Sequence, residues 1–161
     1  MRKLAATHPI LPVCLLLADK PCLVVGGGTI ATRKVSHLLD AEADVTVVSP
    51  EISDTLQAHA SAGKLHLIPR KFKPTDVKGM CLVFAATDNE RVNRQVLETC
   101  RLKKILCSAA DSNWPNGDFL LPATTRKHGL VVTVSTGGRS CSQARIVKDK
   151  IAELLSDIAK D

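Results

Sequence analysis

A glycine-rich turn near the start of the chain has the residue types and spacing needed to bind a dinucleotide. Residues 26–31 read Gly-Gly-Gly-Thr-Ile-Ala and fit the pattern G-x-G-x-x-G/A. The first glycine (Gly26) permits a tight turn, the second (Gly28) lets the backbone approach a pyrophosphate, and the small third residue (Ala31) lets helix and strand pack closely. The free N–H groups at the start of the next helix stabilise the phosphate charges.

The end of the second predicted strand indicates which dinucleotide is bound. In dinucleotide-binding domains an acidic residue about 20 residues after the glycine turn binds the ribose. Here Ser49 lies at the tip of the strand, followed by Pro50 and Glu51. No arginine flanks this point to accept a 2′-phosphate, so the sequence favours NAD over NADP as the cofactor.

The elements around the turn predict a Rossmann-type, doubly wound parallel sheet. Apolar runs predict strands, and a helical period follows the glycines at Ala31, Val35, Leu38 and Leu39. Thr87 and Glu90 have the spacing of a capping box at the start of a later helix. The predicted strands of the sheet are residues 21–25, 45–48, 65–68, 81–86 and 105–110, and the segment 52–62 is predicted as a helix.

The last part of the chain follows a different pattern. Residues 119–122 and 130–135 predict two antiparallel strands joined across residues 126–129, followed by an amphipathic helix. This predicts an NAD-binding domain over residues 1–112 and a small hairpin-plus-helix region over residues 113–161, which needs a partner surface to fold. The apolar stripe of the helix is predicted at Val147, Ile151, Leu154, Leu155 and Ile158.

The amino-acid composition limits the classes of molecule that the chain is expected to bind. The chain has three Phe, one Trp and no Tyr, so it lacks the aromatic platforms of a single-strand nucleic-acid binder. The chain has a net charge of +6 but no long run of basic residues. A positive surface of this kind suits a polyanionic small molecule as a ligand. The apolar run at residues 10–18 is too short to span a bilayer. Prolines in this region also interrupt the continuous apolar segment that a signal peptide needs. We expect a cytoplasmic protein with reduced, buried thiols, no nucleic-acid or membrane partner and no metal site.

The chain resembles the precorrin-2 dehydrogenase family, which includes the N-terminal module of siroheme synthase. The resemblance extends in order from Leu11 to Arg145. The motifs that carry it are Val24-Val-Gly-Gly-Gly-Thr-Ile-Ala-x-Arg-Lys34, Ala85-Ala-Thr-Asp88 with Asn93, Phe119-x-x-Pro122, and Val134-Ser-Thr-Gly-Gly-x-Ser140 with Ala144-Arg145. It implies NAD-dependent oxidation of precorrin-2 to sirohydrochlorin, and some members also insert ferrous iron, an activity that the sequence leaves open.

The resemblance also assigns roles to residues. It implies that Asp111 is the catalytic residue, and a carboxylate after a strand of a parallel sheet is compatible with a general base. The alternative is that Asp111 only opens the following turn. Cofactor contacts are implied at the glycine turn and the second strand, and we include Thr87, at the end of the fourth strand, in that set. The predicted cofactor-binding residues are Gly26, Gly28, Thr29, Ile30, Ser49, Pro50, Glu51 and Thr87.

A tetrapyrrole substrate carries many carboxylates, which gives the basic charge a function. The predicted substrate contacts are Arg126, Arg139 and Ser140. The alternatives are solvated surface charges for the arginines and a helix N-cap for Ser140. Family members dimerise through the region after the Rossmann core, so we expect a homodimer.

The sequence departs from the family in three places. The chain ends at Asp161, shortly after the amphipathic helix, where typical members continue into a helical domain, and Ser108 and Cys141 replace the usual asparagine and proline. These departures keep a second hypothesis open, a non-catalytic module that binds NAD or a tetrapyrrole as a sensor or carrier. Nucleic-acid binding is a weaker third hypothesis, since no basic helix is visible.

Overall fold

The computed structural model describes residues 10–111 and 114–158, with side chains up to Ser156. Contacts between Cα atoms divide the chain into two compact units, which we describe separately. The larger is Val13–Phe119, and the smaller contains residues 120–158 with residues 10–12. The predicted domain boundary after residue 112 stays a prediction, because residues 112 and 113 lie outside the described part of the chain.

The larger unit contains a five-stranded parallel sheet in the order β3-β2-β1-β4-β5. Its strands are β1 (Pro21–Val25), β2 (Asp44–Val48), β3 (His66–Ile68), β4 (Leu82–Ala85) and β5 (Leu106–Ala109). The chain winds outward from β1 in one direction and from β4 in the other, so the order reverses between these two strands. Ligands of such sheets bind at the carboxyl ends of the strands at this switch point. The Rossmann-type fold is therefore confirmed.

Helices cover the sheet because its strands are apolar on both faces. The larger unit has α1 (Thr29–Leu39), α2 (Asp54–Ser61) and α3 (Glu90–Lys103), with short 3₁₀ turns at Pro74–Val77 and Trp114–Asn116. Alternate residues of β1 enter two separate core clusters: Cys22 and Val24 pack with α1 and α2, while Leu23 and Val25 pack with α3. Burial of every residue from Cys22 to Val25 accounts for the continuous apolar run in the sequence.

The start of α3 differs from the prediction. The N-cap is Asn89, not Thr87, and its side-chain oxygen accepts from the N–H groups of Arg91 and Val92 at 3.0 and 3.3 Å. Thr87 lies before the cap, and its hydroxyl oxygen accepts from the N–H of Asn89 at 3.2 Å. The capping-box prediction was wrong because the short asparagine side chain reaches the first-turn amides directly.

An ion pair fixes the connection between β3 and β4. The two Nη atoms of Arg70 donate to the two carboxylate oxygens of Asp76 at 2.8 and 2.7 Å, and the backbone N–H of Lys73 also donates to this carboxylate. The hydrogen bonds from Arg70 are the main cause that lowers the pKa of Asp76 below its usual value. The next residue, Val77, is buried in the core cluster that contains Val96 of α3, so the ion pair holds this segment near α3.

The smaller unit consists of a hairpin and a helix. The hairpin pairs β6 (Ala123–Lys127) with β7 (Leu130–Val134), and α4 spans Cys141–Ile158. The strand predicted at residues 119–122 was wrong, and Arg126 lies in a strand rather than in the connection. The physical reason is the two-residue turn at His128 and Gly129, whose φ values of 49° and 74° are those of a type I′ turn. This turn requires the first strand to end at Lys127.

The apolar stripe predicted on α4 was wrong in part. The residues that face the hairpin include Ala144 and Leu155, which are buried. The side chains of Val147 and Leu154 are 41% and 64% exposed. Ile151 is half-buried, and the side chain of Ile158 lies outside the described part. The sequence pattern thus combined residues that pack on the hairpin with residues that lie on a second, exposed apolar face.

The cysteines are free thiols, three of them fully buried. Burial, together with the nearby Cys81 thiol, raises the pKa of Cys22 to about 12. A hydrogen bond to Cys100 and burial raise the pKa of Cys107 well above its usual range. These thiols are held in their protonated, unreactive form. Separately, within the described residues, no helix is both long and apolar enough to cross a bilayer.

Candidate active site

The glycine turn between β1 and α1 consists of glycines with different functions. A Cβ on Gly26, whose φ is +124°, would lie 2.3 Å from the carbonyl oxygen of Ala86. A Cβ on Gly27 would lie 2.0 Å from the carbonyl oxygen of Glu51. A Cβ on Gly28 would meet nothing within 4 Å. Packing within the protein therefore requires glycine at positions 26 and 27. Gly28 instead borders open space, which would let a ligand approach the protein backbone closely.

The start of α1 is the positive end of a helix dipole. Its N-cap is Gly28, which supplies no capping side chain, and the first turn contains no acidic residue. Thr29 and Ile30 at this end are exposed, Ile30 by 44%. An anionic group placed here meets amide hydrogens and the helix dipole without a competing carboxylate in that turn.

The end of β2 packs against the glycine turn. The N–H of Ser53 donates to the carbonyl of Gly27 at 2.8 Å, which joins the two turns. Ser49 is buried, and its hydroxyl donates to the carbonyl of Glu51 at 2.6 Å. The side chains of Pro50 and Glu51 are exposed. Of the three residues predicted here as cofactor contacts, Pro50 and Glu51 are thus accessible to a ligand, while Ser49 stabilises the turn.

A network of polar side chains joins the carboxyl ends of β4 and β5. Asn93, on α3, is fully buried and bonds to Thr87 after β4 and to Asp111 after β5. Its Nδ2 donates to Oδ2 of Asp111 at 2.7 Å, and its Oδ1 accepts from the Thr87 hydroxyl at 2.7 Å. The fold therefore brings together two predicted site residues that are 24 positions apart. Asp111 itself is half-buried.

Asn93 was quoted in the sequence resemblance but received no role there. Its signal was nevertheless present in the helical period of α3. Asn93 occupies the same face as Val96, Leu97 and Cys100, and all four are buried. A polar side chain on a buried helical face requires hydrogen-bond partners, and one of these, Asp111, lies 18 residues away, too far to be identified from spacing.

The predicted substrate contacts lie in the smaller unit. Ser140 is the N-cap of α4, because its hydroxyl accepts from the N–H of Gln143 at 3.2 Å. Arg139 is exposed, and its Nε donates to the carbonyl of Thr136 at 2.9 Å. Arg126 is exposed on β6. The structural alternative for Ser140 is thus correct, and contact with a substrate stays a prediction for all three residues.

Within residues 10–111 and 114–158, no group of three His, Cys, Asp or Glu side chains lies close enough together to hold a metal ion.

Comparison with known proteins identifies the family. Residues 13–123 match a family described as "Putative NAD(P)-binding". A solved structure of SirC, precorrin-2 dehydrogenase, aligns with a TM-score of 0.77 and 30% identity over 89% of this chain and 70% of that chain. This chain belongs to the NAD(P)-binding family of precorrin-2 dehydrogenase and siroheme synthase. The predicted cofactor, NAD, agrees with membership of this NAD(P)-binding family.

Curated relatives place the chain in the same family. It is 40% identical over 146 residues to siroheme synthase of Methylobacillus flagellatus and 41% identical over 144 residues to siroheme synthase of Thioalkalivibrio sulfidiphilus. These alignments cover 90% and 89% of this chain but only 31% and 29% of the relatives. The chain therefore spans less than a third of the length of these two proteins. The family resemblance seen in the sequence motifs is confirmed.

Proposed function

We propose that this chain oxidises precorrin-2 to sirohydrochlorin with NAD. The observation that carries the proposal is the position of Asp111. It follows β5 at the same edge of the sheet as the glycine turn, where Gly28 borders open space. Similarity to SirC over most of the chain supports the same substrate class. The reaction removes one hydride and one proton from the tetrapyrrole, so it needs a hydride acceptor and a base.

The glycine turn fits a dinucleotide. When bound, NAD supplies the hydride acceptor. Gly28 and the first-turn amides of α1 hold its pyrophosphate, since a side chain is absent at Gly28 and the helix dipole favours negative charge. The exposed carboxylate of Glu51 accepts a hydrogen bond from a ribose hydroxyl and repels a 2′-phosphate, which favours NAD over NADP.

Asp111 acts as the general base. Its carboxylate accepts the proton that leaves the tetrapyrrole while the hydride is transferred. The hydrogen bond from Nδ2 of Asn93 fixes one carboxylate oxygen and so limits rotation of the side chain. A base that is already oriented loses less entropy when the reacting geometry forms.

The basic side chains of the smaller unit recognise the substrate carboxylates. Arg126 and Arg139 are exposed, and Ser140 lies beside Arg139 at the start of α4. Together with the net charge of +6, exposed arginines raise the local concentration of a polycarboxylate and its rate of association. High salt is expected to weaken this attraction.

The active assembly is a homodimer formed through the smaller unit. Large apolar side chains are exposed on β7 and α4: Leu130, Val131, Ile146, Val147 and Leu154. Exposed apolar residues on one small unit favour association with a second copy. Light scattering should give twice the mass of one chain, and Leu154→Lys should shift it toward one chain. A monomeric wild-type protein would contradict this part of the proposal.

Anaerobic incubation of the purified chain with precorrin-2 and NAD tests the function. The expected result is equal amounts of NADH and sirohydrochlorin, with NADP a poorer substrate. A folded protein that binds NAD yet forms no NADH contradicts the proposal. Binding of NAD or tetrapyrrole without turnover, unchanged in Asp111→Ala, would support the alternative of a sensor or carrier.

Iron insertion is a second reaction that Asp111 would support. Insertion of a divalent metal displaces two protons from the pyrrole nitrogens, and the same carboxylate is able to accept them one after the other if it passes the first to solvent. Incubation of sirohydrochlorin with ferrous or cobaltous ions, with wild type and Asp111→Ala side by side, tests this activity. Faster insertion than in protein-free solution, lost in the variant, is the expected result. Equal rates with and without protein would exclude it.

A further inference from the structure

The side chain of Asn93 uses all of its hydrogen-bonding capacity at the junction of two strand ends. It is fully buried. Its Oδ1 accepts from the backbone N–H of Thr87 at 3.1 Å and from the Thr87 hydroxyl at 2.7 Å. Its Nδ2 donates to the backbone carbonyl of Thr87 at 2.9 Å and to Oδ2 of Asp111 at 2.7 Å. An amide group has two acceptor sites and two donor hydrogens, and all four are used here.

The contacts with Thr87 fix the orientation of this amide. A backbone N–H only donates and a backbone carbonyl only accepts, so Oδ1 must face the former and Nδ2 the latter. A flipped amide would place donor against donor and acceptor against acceptor. The remaining hydrogen of Nδ2 therefore points at Asp111, whose Oδ2 acts as an acceptor there. The backbone at the end of β4 thus determines, through one side chain, how the carboxylate after β5 is held.

We propose that Asn93 is a positioning residue that holds the Asp111 carboxylate in its reacting orientation. This inference rests on the proposed function, because it needs Asp111 to act as the base. Asn93 itself is fully buried, so it acts on the reaction through Asp111. Loss of its amide leaves Asp111 present but removes the hydrogen bond that orients its Oδ2. A displacement of a reacting group by about 1 Å costs roughly 100-fold in rate.

A double-mutant cycle separates positioning from structural support. Asn93→Ala should lower kcat by roughly 100-fold while the KM for precorrin-2 and the Kd for NAD change little. In the Asp111→Ala background, Asn93→Ala should have almost no further effect on kcat. Equal fold losses of kcat in both backgrounds would mean that Asn93 acts independently of Asp111 and would overturn the proposal.

Asn89→Ala is the matched control. Asn89 caps the same helix, and its side-chain oxygen accepts from the backbone N–H groups of Arg91 and Val92 at 3.0 and 3.3 Å. This variant should lower the urea midpoint without the loss of kcat. If Asn89→Ala reduces kcat as much as Asn93→Ala does, the effect comes from general loosening of α3, and the positioning role is wrong.

The hydrogen bond is also measurable without turnover. In the ¹⁵N-labelled protein, the Asn93 side-chain amide hydrogens should exchange slowly with water, and Asp111→Ala should shift one of them and speed its exchange. This measurement needs no variant at Asn93, so it decides the contact even if Asn93→Ala fails to fold. An unchanged Asn93 amide signal in Asp111→Ala would overturn the proposal.

Failure of the proposed function gives a different result. In that case the wild-type chain shows no turnover, while the urea midpoints of the two single variants and the double variant still show coupling between Asn93 and Asp111. That combination would leave a purely structural hydrogen bond and would overturn the positioning role together with the dehydrogenase activity.

Discussion

Two places in the larger unit act at the same sheet edge by opposite means. At the glycine turn, the absence of side chains at Gly26, Gly27 and Gly28 brings backbone groups close together and leaves space beside Gly28. At the ends of β4 and β5, the side chains of Thr87, Asn93 and Asp111 are joined by hydrogen bonds. Backbone groups alone are enough to bind a pyrophosphate, which is the same in every dinucleotide. Transfer of a proton, in contrast, needs an acceptor side chain that is held in a defined orientation.

The largest expected effect comes from Gly26→Ala. A Cβ there meets the carbonyl of Ala86 at 2.3 Å, and the φ of +124° is unfavourable for alanine. We expect a loss of about 2–6 kcal/mol in the free energy of unfolding, a large part of the roughly 5–15 kcal/mol that stabilises a typical domain. Circular dichroism during urea unfolding measures this. Wild-type stability in Gly26→Ala would show that the turn relaxes and would remove the distinction between the three glycines.

Gly28→Ala should separate binding from folding. A Cβ there meets no protein atom within 4 Å, and φ is −83°, so stability should change little. The added methyl group occupies space that the pyrophosphate backbone contact needs, so the Kd for NAD should rise at least about tenfold, or about 1.4 kcal/mol. Calorimetric titration with NAD measures the change. Unchanged affinity would mean that the cofactor does not contact this glycine.

A smaller effect is expected at the ion pair that holds the β3–β4 connection near α3. Asp76→Asn removes the charge that binds Arg70 and should lower the free energy of unfolding by about 1–3 kcal/mol at neutral pH. The network at Asp111 should keep its geometry, so kcat should stay near the wild-type value.

The same ion pair predicts a pH dependence. The pKa of folded Asp76 lies below its ordinary value of 3.8, so its contribution is complete above that value and is lost as pH falls through the lowered pKa. Urea unfolding at a series of pH values should therefore show the difference between wild type and Asp76→Asn shrinking below about pH 4. A difference that stays constant down to pH 2 would contradict the assigned role of Asp76.

The parts of the fold that follow local rules were predictable from the sequence. Strand β1 was predicted at residues 21–25 and lies there, because burial on both faces requires a continuous apolar run. The helical face of α1 at Ala31, Val35 and Leu38 is also buried as predicted. The glycine pattern located the turn between β1 and α1 for the same reason, since it depends only on neighbouring residues.

The misplaced elements depended on choices between similar local signals. Thr87 and Asn89 are both N-cap residues by type, and only the geometry shows that Asn89 takes the role. The strand β6 was shifted because the turn at His128 and Gly129 fixes its end. Asn93 could not receive a role from spacing, because Asp111 becomes its neighbour only when β4 and β5 pair.

The most direct test of the account compares wild type with Asp111→Asn in the anaerobic precorrin-2 and NAD assay. Asparagine has nearly the same size, and its carbonyl oxygen still accepts the hydrogen bond from Asn93, but it cannot serve as the base. We predict an unchanged Kd for NAD, an unchanged urea midpoint and a kcat lower by about 10²–10⁴-fold. A variant that forms sirohydrochlorin at the wild-type rate would contradict the central claim that Asp111 accepts the proton.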